Sequence, residues 1–234
     1  MKQRIWELDV IRGICLLFML YGHFYYDYTS LFALGPIDDG GIFDWAVKHI
    51  GPTFIILSGI CANLGKHHIK RGLTVLACGM VVSLVTVGMY HFGFAGKGII
   101  IYFGVLHCIG CCMLLWSVFR RLPWWVLLPV GFAVVFMKEL VYGVYSDTML
   151  LLPLGIFPRY FASSDYFPLL PCLGYFLIGG GLSKWLYQNK KSLLPQPRFF
   201  PFNALGFLGR HSLLIYIVHQ PVIAGCVFIL SLLI

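Results

Sequence analysis

Seven stretches of this chain are apolar, and nearly all are long enough to cross a lipid bilayer. A spanning helix takes about 20 mostly apolar residues, and residues 10–28, 50–64, 73–90, 99–118, 124–142, 169–187 and 212–233 read that way. The second is short and reaches spanning length only if it extends back to Ala46. Residues 149–157 are also apolar, but they are too few to span and are interrupted by Pro153, so they read as part of an interfacial or partly inserted loop. Composition agrees: 59 % of the 234 residues are hydrophobic and 11 % are charged, against about 45–50 % and 25 % in soluble domains. Mean hydropathy is +0.85. A soluble globule has no means of covering that much apolar surface. A soluble enzyme, a disordered tail and a disulfide-stapled secreted module are excluded. The expectation is one all-α domain over residues 1–234, a polytopic membrane bundle of about seven helices.

Orientation follows from the loops. Cytoplasmic loops carry an excess of Lys and Arg. Of the 17 here, Lys2, Arg4 and Arg12, then Lys66, Lys70 and Arg71, then Arg120 and Arg121, then Lys184, Lys190, Lys191, Arg198 and Arg210 fall on the starting side. Lys48, Lys97, Lys138 and Arg159 fall on the other. Six acids, Asp27, Asp38, Asp39, Asp44, Asp147 and Asp165, lie at or beyond the outer ends. The N-terminus is therefore expected in the cytoplasm and the cell (inner) membrane is the expected location. The formal +8 charge is mainly positive-inside bias, with anionic lipid headgroups as a second use. Nucleic acid is not an expected partner, since there is no compact basic domain and no recognition motif. No cleavable signal pattern is expected, because the first apolar run is long and carries Arg12 and His23.

The eight cysteines lie mostly inside the expected spans, where a free thiol acts as a small apolar filler. Cys108, Cys111 and Cys112 have a metal-like spacing, but no matched second pair follows, so no metal is expected. No internal repeat is evident, which gives an inverted-repeat transporter no support. The polar stretches 29–48 and 145–168 fall on the outer side and read as connecting loops or as walls for an acceptor.

Ionisable residues inside spans are costly and face a cavity or a partner. The first span holds the densest set: Glu7, Asp9, Arg12, His23 and Asp27. Arg12 and His23 are eleven residues apart, which is about three helical turns and about 16 Å along one face. Asp27 follows His23 by four residues, on the same face and within reach. Asp9 and Arg12 have the spacing of a pair. The stripe therefore carries a cation at its inner end and an imidazole beside a carboxylate toward its outer end. Burial disfavours the imidazolium and keeps His23 able to accept a proton, and Asp27 would orient its ring, the base-and-orienter arrangement of acyl-transfer sites. Arg12 would hold a phosphate group of a donor. The plainer reading is a helix–helix hydrogen bond from His23 and a snorkelling Arg12.

These residues carry a resemblance. Arg4-Ile-Trp-Glu-Leu-Asp9-Val-Ile-Arg12-Gly13 followed by Met19-Leu-Tyr-Gly-His23 resembles the opening of the transmembrane acyltransferase superfamily. The closer similarity is to bacterial and archaeal relatives of heparan-alpha-glucosaminide N-acetyltransferase. Leu57-Ser58-Gly59, Phe103-Gly104-Val-Leu-His107, Asp165-Tyr-Phe-Pro168-Leu-Leu-Pro171 and Leu208-Gly-Arg-His-Ser212 through His219-Gln220-Pro221 resemble further segments of that family in order. The resemblance implies acetyl transfer from acetyl-CoA to an acceptor on the outer face. It assigns the first-helix histidine to His23, as base or transient acyl carrier, with Arg12 as its companion. His49 is the next histidine along the chain and the rival for that role, but Asp27 is in register with His23, whereas His49 has only Lys48 and Trp45 nearby.

Other residues carry two readings each. Ser58 serves helix packing beside Gly59 or donates to a developing oxyanion. His107 is a core histidine bonded to a neighbouring helix or a contact for the thioester. His219, before Pro221, is structural or substrate-binding. Lys66, His67, His68, Lys70 and Arg71 form a solvated interfacial loop or a landing site for the donor's nucleotide phosphates. Asp165 is an N-cap or an acceptor-binding carboxylate. Gly179-Gly180-Gly181 lacks the Lys-Ser/Thr of a phosphate loop and reads as a packing surface. The expected enzyme is an O- or N-acetyltransferase with acetyl-CoA as donor, His23 and Asp27 at the chemistry, Arg12, Arg71, Ser58 and His107 toward the donor, and Asp165 and His219 toward the acceptor. Its expected partners are membrane lipid and a small-molecule or glycan acceptor, and a homo-oligomer is compatible with the pattern. The rival class is a proton-coupled transporter or channel that uses His23 and Asp27 as a relay.

Overall fold

The computed structural model describes residues 4–32, 34–35, 42–94, 96–141, 143–195 and 199–233, without the side chains of residues 30, 31 and 42–47. Lys2, Asp38, Asp39 and Arg198 of the orientation argument lie outside the described residues, as do the side chains of Asp44 and Trp45. A helix occupies each of the seven expected segments: α1 (Trp6–Tyr26), α2 (Ile42–Leu64), α3 (His68–His91), α4 (Val105–Phe119), α5 (Trp124–Val141), α6 (Leu169–Leu186) and, after one further helix α7 (Phe200–Arg210), α8 (Ser212–Ser231). Among the described residues, β structure is limited to two isolated bridges. Five helical stretches among the described residues are long and apolar enough to cross a membrane: Trp6–Thr29, His68–His91, Trp124–Val141, Leu169–Leu186 and Ser212–Ser231.

The remaining two expected spans differ from the sequence reading. α2 starts at Ile42, well before residue 50, and carries Pro52 within it. α4 has only 15 residues, about 22 Å of helix against about 30 Å of hydrocarbon. Residues 99–104, expected to be helical, form a 3-10 turn ending at Ile99 and then an extended run to Gly104. The reason is local. Asp165 Oδ2 accepts from the Val105 amide (3.0 Å), and the Gly104 amide donates to His107 Nδ1 (3.2 Å). These bonds satisfy amides that a helix N-terminus leaves unpaired, and they fix the start of α4 at Val105.

Two compact units share the chain, one of Met1–Phe54 with Lys190–Ile234 and one of Ile55–Asn189. In the first, α1 packs along α7 and touches α8. The α1–α7 contact is a backbone approach: a β-carbon on Gly209 would collide with the Asp9 carbonyl, and one on Gly13 with the Leu205 carbonyl. Small residues permit such contacts where lipid supplies no hydrophobic drive between helices. The segment before α7 is tied to the start of α1. Buried Glu7 accepts from the Leu193 amide (2.8 Å) and from the Ser192 hydroxyl, and Trp6 Nε1 donates to the Leu194 carbonyl (3.1 Å).

In the second unit α4 is the most enclosed helix, with α3 and α6 against it and α5 against α6. Trp116 and Phe176 meet edge to face at 6.2 Å and are essentially solvent-free, a geometry that suits the ring quadrupoles. The triple glycine is a packing surface: a β-carbon on Gly179 would strike the Ile56 carbonyl. Polar bonds finish the helix ends. Asn63 Nδ2 donates to Ser183 Oγ (3.0 Å), and Lys184 Nζ donates to the carbonyls of Arg120 (2.7 Å) and Leu122 (2.6 Å) beyond the end of α4.

Candidate active site

Within the first unit, α1 and α8 bring together the polar residues that the sequence set apart. α1 is continuous from Arg12 to His23, so the two lie about 16 Å apart along its axis. At its C-terminal end the helix widens into a π-helical turn, Asp27–Leu31, with the Phe32 amide bonding back to the Asp27 carbonyl (2.9 Å). Such widened turns recur at functional sites.

Arg12 pairs with Asp9 at 3.1 Å, as the spacing suggested, and its Nη1 also donates to the Gly209 carbonyl (3.2 Å) at the end of α7. The guanidinium thus meets the negative end of a helix dipole.

The ring beside His23 is His219 of α8, with centroids 4.6 Å apart in an edge-to-face arrangement. The neighbouring Gln220 reaches Asp27: its Nε2 donates to both carboxylate oxygens at 3.1 Å. Asp27 is fully buried, and a buried carboxylate needs donors. Its amide partner on α8 was not among the residues singled out from sequence, where Asp27 was assigned to His23 on i,i+4 spacing alone. Gln220 stood in the quoted His219-Gln220-Pro221 segment, and its signal was a polar side chain midway along an apolar span.

His219 is buried, and its Nδ1 lies 2.6 Å from the Tyr216 carbonyl. A carbonyl only accepts, so Nδ1 carries the proton and Nε2 of the neutral ring carries a lone pair. That Nε2 is buried with no hydrogen-bond partner, and so is the Gln220 Oε1. Two buried acceptors on successive residues of α8 thus have no donor, one of them on the ring packed against His23. His49 is exposed on α2.

The other expected site residues belong to the second unit. Ser58 is half-buried on α2. Arg71 is exposed on α3, its guanidinium beside Gly65. His107 is buried with both ring nitrogens in use: Nδ1 accepts from Gly104, so Nε2 carries the proton and faces Ser83 Oγ at 3.3 Å, and that hydroxyl in turn donates to the Ile101 carbonyl (2.6 Å). Asp165, expected as a cap for the sixth span, caps α4 instead. α6 starts behind Pro168 with no side-chain cap. The loop carrying Asp165 is held by Tyr166, whose hydroxyl donates to the Leu152 carbonyl (2.6 Å). Burial pushes the Tyr166 phenol up to about 12. Among the described residues no group of three or more His, Cys, Asp or Glu side chains is placed to hold a metal.

A family model described as the catalytic region of heparan-alpha-glucosaminide N-acetyltransferase matches residues 4–221. No curated protein and no solved structure gives a match to the chain.

Proposed function

Since the chain belongs to the heparan-alpha-glucosaminide N-acetyltransferase catalytic family, we propose that it moves an acetyl group from cytoplasmic acetyl-CoA to an amino sugar or envelope-glycan acceptor on the outer face of the cell membrane. The family and the five apolar helices make it a multi-pass membrane protein of an acetyltransferase family. The finer reading rests on one observation: the buried, unpartnered lone pair of His219 Nε2, on the ring that packs edge to face against His23.

A buried lone pair calls for a ligand with an N–H or O–H donor, and the buried, unpartnered Gln220 Oε1 on the next residue calls for another. An amino sugar or a polyol has both. His219 and Gln220 would hold the acceptor, and His23 would take the proton from the attacking hydroxyl or amine as the new C–O or C–N bond forms at the thioester carbonyl. The C–S bond then breaks and His23 returns the proton to the CoA sulfur. In the covalent variant His23 attacks the thioester carbonyl, the C–S bond breaks and CoA leaves as the thiol with the imidazole's N–H proton. The acceptor then displaces the imidazole, which takes the acceptor's proton as the N–acetyl bond breaks. Asp27 acts at one remove, by fixing Gln220. Arg12 would meet the donor's phosphates at the inner end, and about 16 Å of helix suits an extended pantetheine arm between phosphate and thioester. The N-terminus is cytoplasmic in this reading.

The test is release of CoA thiol by the purified full chain with acetyl-CoA and glucosamine. Substituting His23→Ala should abolish acceptor-dependent release, and a wild-type rate in that variant would end the assignment. Acetyl-CoA should raise the melting temperature where free acetate does not, and Arg12→Ala should blunt that shift.

A further inference from the structure

A groove of about 710 Å³ opens where α3 begins, in the second unit. One end is cationic, formed by Lys66, Lys70 and Arg120, all exposed. The other is apolar, formed by Ile69, Leu73 and Ala77, also exposed. No Asp or Glu is among the lining residues, so the charge is uncompensated. We infer that this groove binds one anionic glycerophospholipid of the bilayer, its phosphate on Lys66, Lys70 and Arg120 and an acyl chain laid along Ile69, Leu73 and Ala77.

Three features favour a lipid over a soluble phosphate compound. First, the apolar wall does not end at the groove. Ile69, Leu73 and Ala77 continue one face of α3 that runs on through exposed Met80 and Leu84. From Ile69 to Met80 is about 16 Å, close to half of the roughly 30 Å hydrocarbon thickness. Second, only 17 % of the apolar window of α3 is buried in the protein, so bilayer lipid has to cover the rest. Third, the groove offers a nucleotide base little. It has no Phe, Tyr or Trp to stack on. Its Thr74 hydroxyl already donates to the Lys70 carbonyl (3.0 Å), and its His68 ring is bonded to Ser117 Oγ (3.2 Å). Basic residues at the headgroup level attract anionic lipid, each contributing a modest increment, and the apolar wall of this open groove adds a surface for the chain beside them.

The full chain in detergent would be titrated with dioleoyl phosphatidylglycerol or dioleoyl phosphatidylcholine, and retained lipid would be counted by native mass spectrometry. Phosphatidylglycerol should be retained in preference. Lys66→Gln, Lys70→Gln and Arg120→Gln should each weaken that retention about fivefold. Leu73→Asn, with every charge intact, should weaken it too. Glycerophosphoglycerol, the headgroup without its chains, and CoA should not displace the lipid. Equal retention of the two lipids, an unaffected charge variant, an unaffected Leu73→Asn variant, or displacement by headgroup or CoA would each overturn the lipid assignment. The readout is lipid retention rather than acetyl transfer, so its outcome is separate from that of the acetyltransferase reading.

Discussion

The imidazoles of His23 and His219 lie 4.6 Å apart, edge to face, although 196 positions separate them in the chain. Only one has its tautomer fixed by a backbone carbonyl, so the two rings differ in what they offer a substrate. His219 presents a fixed lone pair, and in the proposed reaction His23 moves the proton.

That division predicts different kinetics for the two substitutions. His23→Ala should lower kcat by about 10²–10⁴, the range for a general base. His219→Ala should instead raise the acceptor KM, by up to about tenfold for one hydrogen bond, with a smaller effect on kcat. Steady-state kinetics at varied glucosamine concentration would separate them, and a reversed pattern would exchange the roles.

Gln220 should matter for stability as well as activity. Gln220→Leu leaves the Asp27 carboxylate buried without its amide donor and should cost about 1–3 kcal/mol. Adding Asp27→Leu should restore part of the loss, since an apolar pair leaves no orphan. Thermal unfolding in detergent of the two single variants and the double variant would measure the coupling.

The α1–α7 contact predicts intolerance of a single methyl group. Gly209→Ala has no flexible neighbour to displace, because the obstructing atom is a backbone carbonyl. Overpacking of this kind costs about 1–3 kcal/mol. Gly225→Ala, where open space surrounds the α-carbon, should melt near wild type and serves as the control.

Tyr166 provides a pH prediction in the loop before α6. Its phenol is raised from 10.0 to about 12 in the fold, so the native state holds the proton over a range in which the unfolded chain loses it. The contribution is therefore fully present below pH 10 and falls away as pH rises toward 12. Denaturation profiles at pH 9 and pH 11 should diverge for wild type and converge for Tyr166→Phe, which should also lose about 0.5–1.5 kcal/mol of stability at neutral pH.

How far the chain could be read in advance depended on the length scale of each signal. Spans announce themselves through twenty consecutive residues, and a helix lies at each expected place. α7 escaped notice because its 11 residues cannot span and a length filter passes over it. Pro201 near its start and Gly206 and Gly209 along it were the available signs. The site was legible along one helix but not between helices. Spacing on α1 paired Arg12 with Asp9, as found, and also paired Asp27 with His23, whereas the carboxylate is met by an amide on α8. Periodicity says which side chains share a face, but it is silent on what the facing helix presents. The start of α4 was misplaced for the same reason, since its cap is a side chain 60 residues away.

That distance gives the protein a schedule. α4 leaves the ribosome before Asp165 exists, and at about 5–20 residues per second the missing 60 residues take roughly 3–12 s to arrive. During that interval a 15-residue helix, too short to span unaided, meets the lipid with the Val105 amide still unpaired by its carboxylate. Its final boundary is therefore written after the helix itself has been made, by a loop that follows it in synthesis.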